Sequence, residues 1–288
     1  MSLFLSIDWF ESSEPISVPN TSIILPGNLR KTIILVHGLT GTPNEVRYIA
    51  FFLNRAGYTV VCPCLAKHGQ PLSILKHANW EDFHATVRSA FLDALAKGDQ
   101  VYVGGLSMSA LFALLLAEEF PDKLAGAICL APTLFFDGWN VPWYNSLLPL
   151  AAYTPLKYCL YFRDGPPYGI KNKRIRAMVH TFYSKARLDN LGDVSKFGYA
   201  FFPVSLFHEV RELARHIIPL LGKIKAPVLL VHPQEDDTAS LKNSQLIYDQ
   251  IGSTRKKLVV LRDSYHVITA DQERDAVARE ILSFLTEP

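Results

Sequence analysis

The sequence predicts an α/β protein, a mainly parallel sheet covered on both faces by helices and interrupted by one long insertion. Three observations predict it. Short apolar runs alternate with amphipathic stretches along the chain, the pattern of repeated strand–helix units. The short runs are almost continuously apolar, as strands buried on both faces are. Residues 133–222 separate two of these runs by far more than an ordinary connection, and they hold roughly half the chain's aromatic residues.

The elements follow in order. Ile33 to Val36 is a β-branched run that stops in a tight turn at His37-Gly38. Thr42 to Ala56 carries Val46, Ile49, Ala50 and Leu53 at helical spacing, with Thr42 as cap, Pro43 in the first turn and Gly57 as the stop. Tyr58 to Cys62 reads as the next strand and Asn79 to Ala96 as an amphipathic helix. Gln100 to Gly104 is a third strand, followed by a Leu- and Ala-rich helix from Met108 to Glu119. Leu124 to Leu130, Pro227 to His232 and Lys257 to Leu261 supply three more strands; Leu241 to Ile251 and Glu273 to Leu285 supply helices. The division is a core of residues 1–132 and 223–288 with an inserted cap, or lid, at 133–222.

Composition bounds the function. With 288 residues and 49% apolar content, the chain can bury a large core. A formal net charge of +2 argues against nucleic acid as partner, because phosphate binding needs concentrated Lys and Arg. Cys62, Cys64, Cys129 and Cys159 are too few for a disulfide scaffold and lack zinc-site spacing, so free thiols are expected. The N-terminal stretch lacks a basic leader and Asp8 interrupts its apolar run, and no later stretch matches a membrane span. The expected location is cytoplasmic.

The chemistry is concentrated in a few short stretches. Gly105-Leu106-Ser107-Met108-Ser109 follows a strand and opens a helix. A serine there sits on a sharp turn with its hydroxyl lifted clear of the sheet. Small neighbours permit the turn; Ser109 stands where Gly is usual, and could tighten the elbow or bring a second hydroxyl near the site. A serine hydroxyl needs an adjacent base, and His266 follows the last strand, in the terminal position of the order nucleophile, acid, histidine. The acid is expected in His232-Pro233-Gln234-Glu235-Asp236-Asp237, where Asp236 and Asp237 both qualify by type and place. The oxyanion donors are expected from Met108, after the nucleophile, and from Leu39, in the turn after the first strand.

These stretches together carry a family resemblance. Ile34-Leu35-Val36-His37-Gly38-Leu39-Thr40-Gly41-Thr42-Pro43, Lys67-His68-Gly69, Gly105-Leu106-Ser107-Met108-Ser109 and Ser264-Tyr265-His266-Val267-Ile268-Thr269 resemble bacterial carboxylesterases and monoacylglycerol lipases of the α/β-hydrolase superfamily. The likeness covers about residues 30 to 132 and 225 to 286. It implies the α/β-hydrolase fold and a serine esterase, with Ser107 as nucleophile, His266 as base, Asp236 as acid, and Leu39 and Met108 at the oxyanion hole. Two departures accompany it: Ser109 in place of Gly, and a cap longer than that family's short lid.

The cap composition speaks to substrate. Trp139, Trp143, Tyr144, Phe162, Phe182, Phe201, Phe202 and Phe207 are candidates either for an acyl cleft or for the cap's own core. Trp143 to Phe162 is amphipathic, interrupted by Pro149 and Pro155, and Lys171, Lys173, Arg174 and Arg176 follow as a basic patch. That combination suits a weak lipid-surface contact, although a solvated charged face accounts for it more simply. The expected activity is hydrolysis of medium-chain esters or monoacylglycerols, with a small apolar ester as substrate and neither cofactor nor metal. The same triad also suits a thioesterase or a C–C bond hydrolase, and a silent binding module is the alternative outside enzymes.

Overall fold

The computed structural model describes residues 22–142, 148–188 and 194–287. Its centre is a seven-stranded sheet in the order β1-β3-β2-β4-β5-β8-β9. The strands are β1 (Ile23–Leu25), β2 (Lys31–Val36), β3 (Thr59–Cys62), β4 (Gln100–Leu106), β5 (Leu124–Leu130), β8 (Val228–Pro233) and β9 (Lys256–Leu261). All neighbours are parallel except β1, which lies antiparallel on β3 at the edge. The six parallel strands are those the apolar runs predict. The three residues of β1 are too short a run to stand out, and β1 exists because β3 offers it an unpaired edge.

Five longer helices flank the sheet: α1 (Arg47–Arg55), α3 (Trp80–Ala96), α4 (Ser109–Glu119), α9 (Lys242–Gln250) and α10 (Arg274–Thr286). The first begins later than the sequence pattern suggests. Pro43–Val46 forms a 3-10 turn, and the Thr42 side chain makes no cap bond to it. Gly57 then ends the unit with φ +96°, where a side chain would be strained. Helix α4 is buried from Ser109 through Ala117, which fits an apolar helix closed in on all sides. Two cores result. One packs β2, β4, β5 and β8 against α3 and α4; the other packs the opposite face against α1 and α10.

Between β5 and β8 lie α5 (Leu148–Ala152), β6 (Tyr161–Arg163), α6 (Lys173–Lys185), α7 (Val194–Phe197), β7 (Phe201–Pro203) and α8 (Val204–Ile217), with a short helix α2 (Leu72–Leu75) before them in the chain. Strands β6 and β7 make a separate antiparallel pair. Tyr168, Ile170, Ile175, Val179, Tyr183, Ala186 and Ala200 form a third cluster. Helix α8 behaves differently: Leu206, Val210, Leu213 and Ile217 join the core that holds α3 and α4. The amphipathic stretch read from Trp143 is broken where its prolines fall. Pro149 lies in the five-residue α5, and Pro155 opens a 3-10 turn capped by the Thr154 hydroxyl. Trp143 and Tyr144 lie outside the described residues. Among those described, no helix is long and apolar enough to cross a membrane.

Candidate active site

The C-terminal ends of β2, β4, β8 and β9 converge on one point. Ser107 follows β4 with φ +61°, in the left-handed region. That conformation costs a non-glycine residue energy and is held by its surroundings. The Ser107 N–H donates to the Leu130 carbonyl at 2.8 Å. Gly105 is required by the closeness of the following helix, since a Cβ there would lie 2.3 Å from the Ser109 carbonyl carbon.

The loop after β9 brings His266 to within 2.9 Å of the Ser107 Oγ through its Nε2. The other ring nitrogen, Nδ1, meets the Asp236 carboxylate at 2.8 and 3.0 Å. Burial alone would depress His266. The Asp236 charge and hydrogen bond, with Asp237 and Glu45 nearby, outweigh it and hold the imidazole above its ordinary value. Burial opposes ionisation of Asp236 too, but His266 and His232, with the N–H of Ala239, keep it below the usual carboxylate range. Its Oδ1 accepts the N–H groups of Thr238 and Ala239 at 2.8 Å each.

Asp237, equal to Asp236 by residue type and position in sequence, faces elsewhere. Its carboxylate accepts the Gly169 N–H at 3.0 Å and the His266 N–H at 3.3 Å. It therefore clasps the histidine loop to the insertion. Asp271 does the same one turn later, accepting Tyr265 N–H from the loop and Lys171 and Asn172 N–H from the insertion. Lys171, from the basic patch, pairs with Glu235 at 2.8 Å and Asp263 at 3.4 Å.

The turn after β2 is held at almost every polar atom. Ser109 Oγ donates to the His37 carbonyl at 2.5 Å. The His37 ring accepts the Leu65 N–H at Nε2, which leaves Nδ1 to donate to the Gly38 carbonyl at 2.9 Å. Burial drives His37 well below its ordinary value, in keeping with that neutral tautomer. His68 Nε2 donates to the Leu39 carbonyl at 2.6 Å, and Tyr199 N–H donates to the Thr40 carbonyl at 2.9 Å. Gly41 N–H turns back to the Gly38 carbonyl at 3.1 Å, and Gly38 N–H donates to Glu45 Oε2 at 2.6 Å. Among the described residues, the N–H groups of Leu39 and Met108 donate to no acceptor in the protein. Donors left open in this way beside a nucleophile are the raw material of an oxyanion hole.

Ser109 thus points away from the reacting centre and pins the elbow to the turn after β2. A second hydroxyl near Ser107 comes instead from Thr133, 3.0 Å from the Ser107 Oγ. Thr133 opens the long insertion, and nothing in its sequence context distinguishes it from a loop residue. His232 stands behind Asp236 at 3.4 Å, its ring fixed by Ser244 and the Ala239 carbonyl. The thiols of Cys62 and Cys129 are buried and pushed up far from reactivity.

Ser107 and His266 open on a cavity of about 450 Å³. The insertion supplies much of its wall: Phe136, Phe162, Phe202 and Phe207, with Tyr168 and Tyr183. The four phenylalanines touch one another with centroid separations of 4.5 to 5.9 Å. Other aromatics of the insertion lie elsewhere. Trp139 is 57% exposed and packs edge-on to Tyr265; Phe182 packs on Tyr183 and Phe197; Phe201 lies against the main core. Asp164 also lines the cavity, and burial pushes its carboxyl up to about 7.

Comparison with known proteins shows the family. Residues 27–273 match the family described as serine aminopeptidase, S33. The chain is 27% identical over 265 residues to a thermostable monoacylglycerol lipase of Bacillus sp. (strain H-257), covering 88% of this chain and 90% of that protein. It is 24% identical over 256 residues to a carboxylesterase of Bacillus subtilis (strain 168), covering 88% and 92%. A solved structure from the metagenome-derived lipolytic enzymes LipS and LipT superposes with a TM-score of 0.76 at 25% identity, covering 93% of this chain and 97% of that one. The chain therefore belongs to the S33 serine aminopeptidase family and is a serine hydrolase of the α/β-hydrolase fold.

Proposed function

We propose that the enzyme hydrolyses medium-chain carboxylic esters or monoacylglycerols through an acyl-enzyme. The observation that carries this reading is the continuous chain Ser107 Oγ, His266 Nε2, Asp236 carboxylate, with links of 2.9 and 2.8 Å, opening on an aromatic-walled cavity. His266 Nε2 takes the Ser107 proton as Oγ bonds to the ester carbonyl carbon. The carbonyl electron pair moves to oxygen, and the N–H groups of Leu39 and Met108 stabilise the charge. The intermediate collapses by breaking the C–O bond to the alcohol, which leaves with the proton from His266. Water repeats the sequence on the acyl-enzyme, gives its proton to His266, and releases the carboxylic acid.

Residues 133–222 act in this reading as the cap over Ser107, with α8 anchoring it to the sheet. Phe162, Phe202 and Phe207 offer an apolar surface to an acyl chain, and Asp164 offers a hydrogen-bonding partner to hydroxyls of the alcohol. The relatives named monoacylglycerol lipase and carboxylesterase support the same substrate class. A chain-length series of nitrophenyl and glycerol esters, run beside thioesters, tests the reading. Rising kcat/KM from acetate to medium chains with oxygen esters preferred is the expected result. Preference for thioesters, or no turnover of either set, contradicts it.

A further inference from the structure

We propose that Glu45 is a positioning residue of this reaction: its carboxylate takes the Gly38 N–H, so that the turn leaves Leu39 N–H for the oxyanion, and its charge favours the imidazolium that His266 becomes. The inference rests on the ester-hydrolase reading above.

Three observations carry it. First, the contact is short and specific, with Gly38 N–H donating to Glu45 Oε2 at 2.6 Å. Second, the turn is shaped around this carboxyl. A Cβ on Gly41 would stand 2.4 Å from Oε2, and one on Gly38 would stand 3.2 Å from it. The glycines leave a hollow, and Glu45 fills it. Third, Glu45 lies in the wall of the cavity with Ser107 and His266. An acidic side chain placed against a cavity wall, with no lysine or arginine hydrogen-bonded to it among the described residues, is costly to keep ionised. Burial does raise its carboxyl, opposed by the Gly38 bond and by the attraction to His266.

The geometry explains why such a group is kept. Every carbonyl from His37 to Thr40 is already bonded. Without an acceptor at Glu45, Gly38 N–H would be free to turn toward the site in place of Leu39 N–H. The charge acts on the same event from the other side. His266 faces His232 from β8, Asp236 and Asp237 from the loop after it, and Glu45 from the 3-10 turn after β2. Arg163 from β6, Asp164 just after it, Tyr183 from α6 and Lys196 share the cavity wall. Asp236 binds the ring directly, and Glu45 adds an anion at a distance, where it stabilises positive charge without forming a hydrogen bond to the ring.

Two variants separate these roles from simple packing. Glu45→Ala removes both acceptor and charge; kcat should fall about 10- to 100-fold with KM changed less than threefold, since a misplaced oxyanion donor is felt in the transition state. Glu45→Gln keeps an acceptor for Gly38 N–H and should recover most of that loss at the optimum pH. It should also move the acid limb of kcat/KM to lower pH by about half a unit or more, because His266 no longer has that anion near it. Thermal melting of both variants separates loss of fold from loss of rate. An unmoved acid limb in Glu45→Gln, or full kcat in Glu45→Ala, overturns the assignment while wild-type turnover leaves the ester-hydrolase reading standing. Absence of ester turnover in the wild type removes that reading and this inference together.

Discussion

Aromatic residues are used in two ways in this molecule. In the sheet core, Phe83, Phe91 and Phe112 are wholly buried, and each contributes its full apolar area to stability. In the insertion, Phe162, Phe202 and Phe207 stack on one another yet keep surface toward the cavity. The turn after β2, the elbow and the acid loop are densely bonded, and the insertion is tied to them through Tyr199 N–H on the Thr40 carbonyl, through Gly138, Trp139 and Asn140 N–H on the carbonyls of Thr238, Asp236 and Asp237, and through the carboxylates of Asp237 and Asp271. In the proposed reaction the chemistry falls to the loops at the strand ends and recognition to the aromatic wall that the insertion gives the cavity. The first needs positions held to fractions of an ångström. The second needs apolar surface of roughly the right size.

Substitutions in the strand-end loops should therefore damage rate, and the largest contrast lies between two adjacent aspartates. Asp236→Asn removes the partner of His266 Nδ1 and should cost kcat on the order of 10⁴-fold. Asp237→Asn loosens a loop clasp and should cost no more than about tenfold in kcat, with a lower melting temperature. Steady-state kinetics and melting of the two proteins give the answer directly. Similar losses in both would mean that loop integrity, rather than the ion pair, sets the rate.

The pH profile sharpens the same point. In the proposed mechanism His266 must be neutral to accept the Ser107 proton, and its surroundings hold it above the ordinary imidazole value. Activity should consequently fall as pH drops through that raised value, so the acid limb of kcat/KM should lie above the ordinary imidazole value near 6.5. A limb at or below the unperturbed value would mean that desolvation of the ring outweighs its three carboxylate neighbours.

Thr133 stands where the two regions join. Its hydroxyl lies 3.0 Å from Ser107 Oγ and 3.4 Å from the Ala131 carbonyl, and in the proposed mechanism it donates to Ser107 Oγ, so that the serine proton goes to His266. Thr133→Val preserves shape and removes that donor, so kcat should drop about tenfold with little change in KM, the scale of one hydrogen bond. The cap side of the comparison should answer in the opposite currency of KM. Phe207→Ala should leave acetate esters nearly unaffected and reduce the gain per acyl methylene, which is about fourfold at full burial. Kinetics on acetate, butyrate and octanoate esters distinguish these outcomes; equal losses on all three would make Phe207 a structural residue alone.

The parallel strands, and the meeting of Ser107 with His266, were legible in the sequence because each follows from local order: apolar runs, a Gly before a serine that follows a strand, a histidine after the last strand. The choice of Asp236 over Asp237 came from family resemblance, since alternation of side chains in a loop cannot be read without its turns. The geometry separates them: the Asp236 carboxylate meets His266 Nδ1 at 2.8 Å, while that of Asp237 accepts the N–H groups of Gly169 and His266. Thr133 and Glu45 were not legible, because each acts through a contact with a residue it does not neighbour in sequence or at any characteristic spacing. Ser109 was legible as a departure but not in its effect, because the carbonyl it binds lies 72 residues earlier in the chain. Edge strand β1 was missed for its brevity, and the start of α1 was misplaced because Pro43 opens a 3-10 turn rather than the helix itself.

The central claim is that Ser107 is the nucleophile activated by His266. Incubation with a fluorophosphonate, followed by intact-mass measurement and peptide mapping, tests it most directly. The wild type should gain one adduct on Ser107, His266→Ala should label slower by several orders of magnitude, and Ser107→Ala should stay unmodified while melting as a folded protein. Labelling at another residue, or equal labelling of Ser107→Ala, would contradict the account.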